Sequence, residues 1–101
     1  MRSILNWRGL QNEVPVGLAP ARIQLWEAIQ AHELTRIAGG ESIVDRYALQ
    51  PGEFFPCAVE AFFQRPLELR DGHQRLYRFL SRYFRQNPAL WESRLRARSP
   101  V

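Results

Sequence analysis

The chain is 101 residues long, with a net charge of +4, a hydrophobic fraction of 46% and an aromatic fraction of 12%. That is enough apolar material for one small domain, though a chain this short buries a limited share of its surface. No apolar run approaches the ~20 residues of a membrane span, Met1 to Arg8 is too short and too polar for a secretory signal, and the single Cys57 excludes an internal disulfide and suits a reducing cytoplasm.

Residues 1–20 read as an irregular segment, punctuated by Gly9, Pro15, Gly17 and Pro20 and carrying Ile4, Leu5 and Trp7 as its apolar residues. A helical domain is expected over 21–101. Its first helix spans about 21–38. There Ile23, Trp26, Ile29, Leu34 and Ile37 mark one broad stripe, with Arg22, Glu27, Gln30 and Glu33 on other faces. Pro20 suits the opening turn, and Gly39-Gly40 ends the helix. Ser42 to Tyr47 is a short connection, read as briefly extended.

Pro51-Gly52 announces the second helix, expected over 53–64. Pro56 would cost roughly 3 kcal/mol inside a helix. In an opening turn that cost vanishes, because the first four N–H groups have no partners there. Pro66 blocks continuation. A third helix is expected over 74–86, with Leu76, Tyr77, Leu80, Tyr83 and Phe84 on its apolar side and Arg75, Arg78, Arg82 and Arg85 opposite. Asn87-Pro88 then reads as N-cap and first residue of a last helix over 88–97, with Leu90, Trp91 and Leu95 as its apolar face. The fold class is all-α, a small domain of about four helices. Phe54, Phe55, Phe62, Phe63, Leu76, Leu80 and Phe84 are expected in its core.

The second helix carries the candidate chemistry. Glu53 and Glu60 lie seven residues apart, two turns less about 20°, and so share a face among four phenylalanines. Buried carboxylates are costly unless a metal, a cation or hydrogen bonds receive them. Either these glutamates serve chemistry or they reach water at the edge of the core. Cys57, with no histidine near it in sequence, reads as an inert core thiol. His32 and His73 are expected in solvent, and the tryptophans Trp7, Trp26 and Trp91 as core anchors. From Gln64 to Val101 nine arginines stand against Glu68, Asp71 and Glu92. Basic helical stretches can bind phosphate backbones. With no base-reading motif, a solvated face is the simpler reading, and nucleic acid and membrane are not expected partners.

From Ile43 to Asn87 the chain resembles the C-terminal part of the MtfA-type zinc peptidases, the Mlc titration factor family. The resemblance runs through Ile43-Val44-Asp45-Arg46-Tyr47-Ala48, Pro51-Gly52-Glu53-Phe54-Phe55 and Glu60-Ala61-Phe62-Phe63. It continues through Arg65-Pro66-Leu67-Glu68-Leu69-Arg70, Leu76-Tyr77 and Ser81-Arg82-Tyr83-Phe84-Arg85-Gln86-Asn87-Pro88. A weaker match extends upstream through Val14-Pro15 and Trp26. The link from Tyr47 to Glu53 is one residue shorter than is usual in that family, and Pro56 replaces a helix-former.

The resemblance implies a zincin-like fold half, and zinc as the metal of the family. It implies Glu53 as third zinc ligand, with Glu60 as a supporting group or the alternative ligand. Tyr47 would be a possible oxyanion donor. It also implies a protein partner of the transcriptional-repressor type, while the cytoplasmic location expected for the chain rests on its single cysteine. Enzymes of the family bind zinc through His-Glu-x-x-His on one helix. This chain has no such motif: His32-Glu33-Leu34-Thr35-Arg36 supplies its first half, and Arg36 stands where the second histidine belongs. The chain is therefore expected to be inactive alone and to bind no metal by itself. It reads as a later portion of a metallopeptidase, with a non-enzymatic protein-binding module as the alternative and an Arg-rich nucleic-acid binder as the third choice. The apolar face left by a missing zinc helix predicts a homo-oligomer or a partner around Glu53 and Phe55.

Overall fold

A computed structural model describes residues 14–98, with side chains through 95. Ile4, Leu5 and Trp7 lie outside the described residues. The described elements are helices and turns. The chain divides into two compact units, Met1–Ala58 and Val59–Val101.

In the first unit, helix α1 spans Pro20–Ala38 with Pro20 in its opening turn. Trp26, Ile29 and Ile37 are buried on one side of it. Glu33 is buried with them at 2% exposure, against the expectation that it lies on another face. The reason is register: Glu33 sits seven residues after Trp26 and four from both Ile29 and Ile37, on the middle line of the buried stripe. Arg36, one turn on, places a guanidinium nitrogen 3.6 Å from its carboxylate.

The end of α1 is a Schellman turn. The Glu41 N–H reaches the Arg36 carbonyl at 2.8 Å and the Gly40 N–H reaches the Ile37 carbonyl at 3.1 Å. Gly40 takes φ +76°, which a side chain would strain. Arg36 also donates to the Glu41 carbonyl at 3.3 Å, so one side chain spans the turn.

The connection read as extended contains a 3-10 turn over Arg46–Leu49. Asp45 makes the difference, its carboxylate accepting the Tyr47 N–H at 2.7 Å and capping the turn. The turn packs on α1 and buries Ala48. Pro51 and Gly52, at φ +78°, then form a tight turn closed by the Glu53 N–H on the Gln50 carbonyl at 3.1 Å. Helix α2 follows over Phe54–Gln64, crossing from the first unit into the second. Pro56 sits in its opening turn. Trp26 packs against Phe54 and edge-on against Phe55, each with centroids 5.5 Å away.

In the second unit Pro66 stops α2 and opens an unforeseen helix, α3, over Pro66–Gly72. A proline that cannot continue one helix is well suited to the first position of the next. Arg65 straps the start of α3 with a two-pronged bond to Glu68, both contacts 2.7 Å. That hydrogen bond, reinforced by the carboxylate's charge, raises the Arg65 pKa above its ordinary value.

His73 alone joins α3 to α4 (Gln74–Phe84), donating its N–H to the Leu69 carbonyl and accepting from Tyr77. Its side chain is 3% exposed, not in solvent as expected. A one-residue joint between two packed helices leaves no loop to carry the imidazole outward. Helix α4 buries Leu76, Tyr77, Phe79 and Leu80 and exposes its arginines.

Helix α5 spans Pro88–Arg98. Its start is tied to α4 by one hydroxyl: Tyr77 Oη donates to Asn87 Oδ1 and accepts the Ala89 N–H at 3.0 Å. Helix α3 packs on both α4 and α5. Phe62 is fully buried, 5.2 Å from the Tyr77 ring and 5.9 Å from Phe84.

The expected core is corrected at several positions. Phe55 and Phe84 are only half-buried, and Phe63 is exposed. On α5 the buried residue is Ala89, whereas Leu90, Trp91 and Leu95 face outward, with Trp91 at 63%. Trp91 is not a core anchor, unlike Trp26. Cys57 is half-buried.

Candidate functional site

The candidate residues come from two places in the first unit and one in the second. Tyr47 is held by the capped 3-10 turn, with its ring 57% exposed. Six residues later the Pro51-Gly52 turn delivers Glu53 to the position immediately before α2, where its carbonyl accepts the Cys57 N–H at 3.1 Å. Glu53 is half-buried. The partial positive charge of a helix N-terminus lowers the cost of a carboxylate there. In the second unit Glu60 lies within the regular part of α2 and is exposed.

The two histidines differ in their surroundings. His32 is exposed on α1, as expected, and His73 is enclosed in the joint between α3 and α4. Sequence reasoning missed the buried Glu33, whose signal was available in its spacing from Trp26, Ile29 and Ile37. It also missed the Tyr77 hydroxyl as an organiser of α5, for which the sequence holds no short-range signal.

The sequence profile of the glucose-regulated metallo-peptidase M90 family matches residues 6–85. The chain belongs to that family. It is also 31% identical over 88 residues to the uncharacterized protein slr2042 of Synechocystis sp., an alignment covering 81% of this chain and 32% of that protein. The chain thus spans about a third of the length of the curated relative it matches. No solved structure matches it.

Membership of M90 implies a metal, and the residues present do not fit one by themselves. Among the described residues no three His, Cys, Asp or Glu side chains come together. A catalytic zinc site takes three protein ligands. Glu53 offers one carboxylate, and Arg36, four residues after His32, is a guanidinium engaged with Glu33 and the Glu41 carbonyl rather than a ligand. Among the described residues no helix is long and apolar enough to cross a membrane.

Proposed function

We propose that this chain is the C-terminal portion of an MtfA-like zinc-dependent peptidase domain, supplying one carboxylate donor to a site whose His-Glu-x-x-His helix lies outside these residues. The observation that carries the reading is the M90 match over 6–85 in a sequence without that motif. Glu53 is the proposed donor, since it sits at the mouth of α2. Glu60 is the alternative, its exposed carboxylate open to ligands from another segment. Tyr47, exposed on its Asp45-capped turn, is the proposed oxyanion donor.

The test is peptidase activity and zinc content, first of this chain alone and then mixed with a His-Glu-x-x-His-bearing segment of a longer M90 relative. The chain alone is expected to retain no zinc and to cleave no peptide. The mixture is expected to bind zinc in a manner lost in Glu53→Gln and kept in Glu60→Gln. Chelator-sensitive turnover by the chain alone would overturn the proposal. Zinc binding lost only in Glu60→Gln would exchange the two roles.

A second reading, a non-enzymatic protein-binding module, is favoured by α5, where Trp91 and Leu95 stand four residues apart and both face outward. In that reading the partner is a transcriptional repressor or a second copy of the chain. The cytoplasm is the proposed location for either role, consistent with the single thiol.

A further inference from the structure

Helix α4 carries Arg75, Arg78 and Arg82, and Arg85 caps its C-terminal end, all four exposed. Successive members are three or four residues apart, so they form a row along one side of the helix, about 15 Å from end to end. Among the described residues none of the four takes part in an ion pair, whereas Arg36, Arg65 and Arg70 do. Helix α4 has no acidic residue of its own.

The stability of the helix accounts for only part of this row. Arg75 lies in the first turn, where the helix dipole disfavours a cation, and no acidic residue offsets it. Arg75 with Arg78, Arg78 with Arg82 and Arg82 with Arg85 are like-charge neighbours at repulsive spacings. Arg85 occupies the left-handed cap at φ +55°, where glycine would be unstrained. The dipole favours Arg82 and Arg85 at the other end, but the like-charge spacings remain repulsive, and a bound polyanion would relieve that repulsion.

The surroundings select among polyanions. A membrane-surface helix pairs its basic side with an exposed apolar side, but no large apolar side chain of α4 is exposed. Protein interfaces centre on aromatic or aliphatic anchors and deplete charge at their cores, and the row contains no anchor. A nucleic-acid backbone needs only the charges. Duplex DNA presents one phosphate charge per ~1.7 Å, roughly nine along the length of the row. We propose that the exposed arginine row of α4 is a sequence-independent docking surface for the phosphate backbone of duplex nucleic acid. This is independent of the peptidase reading, since it uses neither Glu53 nor a metal.

The experiment is fluorescence anisotropy of a labelled mixed-sequence DNA duplex with the full chain over a salt series. Four phosphate contacts predict a slope of about −3.6 in log K against log salt, or about a hundredfold weaker binding from about 50 to about 200 mM. The double variant Arg78→Gln/Arg82→Gln is expected to halve the slope to about −1.8. Arg65→Gln, which removes an arginine already paired with Glu68, is expected to leave it unchanged. The double variant should keep the parent's helical circular-dichroism spectrum and cooperative melt, which separates loss of binding from loss of fold. Absence of duplex binding at low salt, equal slopes for parent and double variant, or preferential binding of anionic vesicles or an acidic peptide would overturn the proposal.

Discussion

Removing one oxygen atom tests how α5 is held. In Tyr77→Phe the ring keeps its place against Phe62, 5.2 Å between centroids, and only the hydroxyl is lost. Two contacts disappear with it, the donation to Asn87 Oδ1 and the acceptance of the Ala89 N–H at 3.0 Å. Asn87 is exposed, so water replaces its lost donor at little cost. Ala89 is fully buried, and its N–H would lose the hydroxyl that accepts it. Leaving a buried donor unsatisfied costs about 1–3 kcal/mol. Each kcal/mol lowers the Tm of a domain this size by about 4–8 °C. Urea unfolding should show a lower midpoint at unchanged m-value. Amide exchange should show the Ala89 N–H losing more protection than amides of α4. A loss under about 0.5 kcal/mol, or an Ala89 amide as protected as before, would refute the claim that this hydroxyl caps α5.

Phe62→Ala should cost about 3–5 kcal/mol in the same assay, because the ring is fully buried among Tyr77, Phe63 and Phe84. Gly40→Ala should cost about 1–2 kcal/mol from backbone strain alone, since a methyl group there would touch nothing within 4 Å. Arg36→Ala should cost about 1–3 kcal/mol, as the buried Glu33 loses a cation and the Glu41 carbonyl a donor. Self-association through the face around Glu53 and Phe55 should appear as a concentration-dependent mass in sedimentation. A strict monomer at high micromolar concentration that binds no hydrophobic dye would end that expectation.

The helices that the sequence announced carry punctuation at one or both ends or, for α4, a clear apolar period. Pro20 and Gly39-Gly40 bracket α1, Pro51-Gly52 and Pro66 bracket α2, and Asn87-Pro88 opens α5. Helix α3 escaped because Pro66 was read only as a stop, although the same ring also starts a helix. The exposed Trp91 and buried His73 escaped for another reason. Hydrophobicity says what a side chain prefers, while burial depends on which neighbours exist, and a helix end or a one-residue joint can override the preference. For the candidate site, the place of Glu53 before α2 was legible from the Pro51-Gly52 turn, whereas the 3-10 turn that holds Tyr47 was not, because the Asp45 cap was not read. Ligation was not, because a metal site is a property of several segments and this chain carries one of them.

The tie between Tyr77 and Ala89 joins residues only twelve positions apart, and α3, α4 and α5 all lie within 66–98. Contacts of such short reach need little loop closure before they form. Helical units of this kind reach their native arrangement in microseconds to milliseconds. The second unit should therefore assemble within moments of leaving the ribosome, and its folding should keep pace with the polymerisation of its own chain.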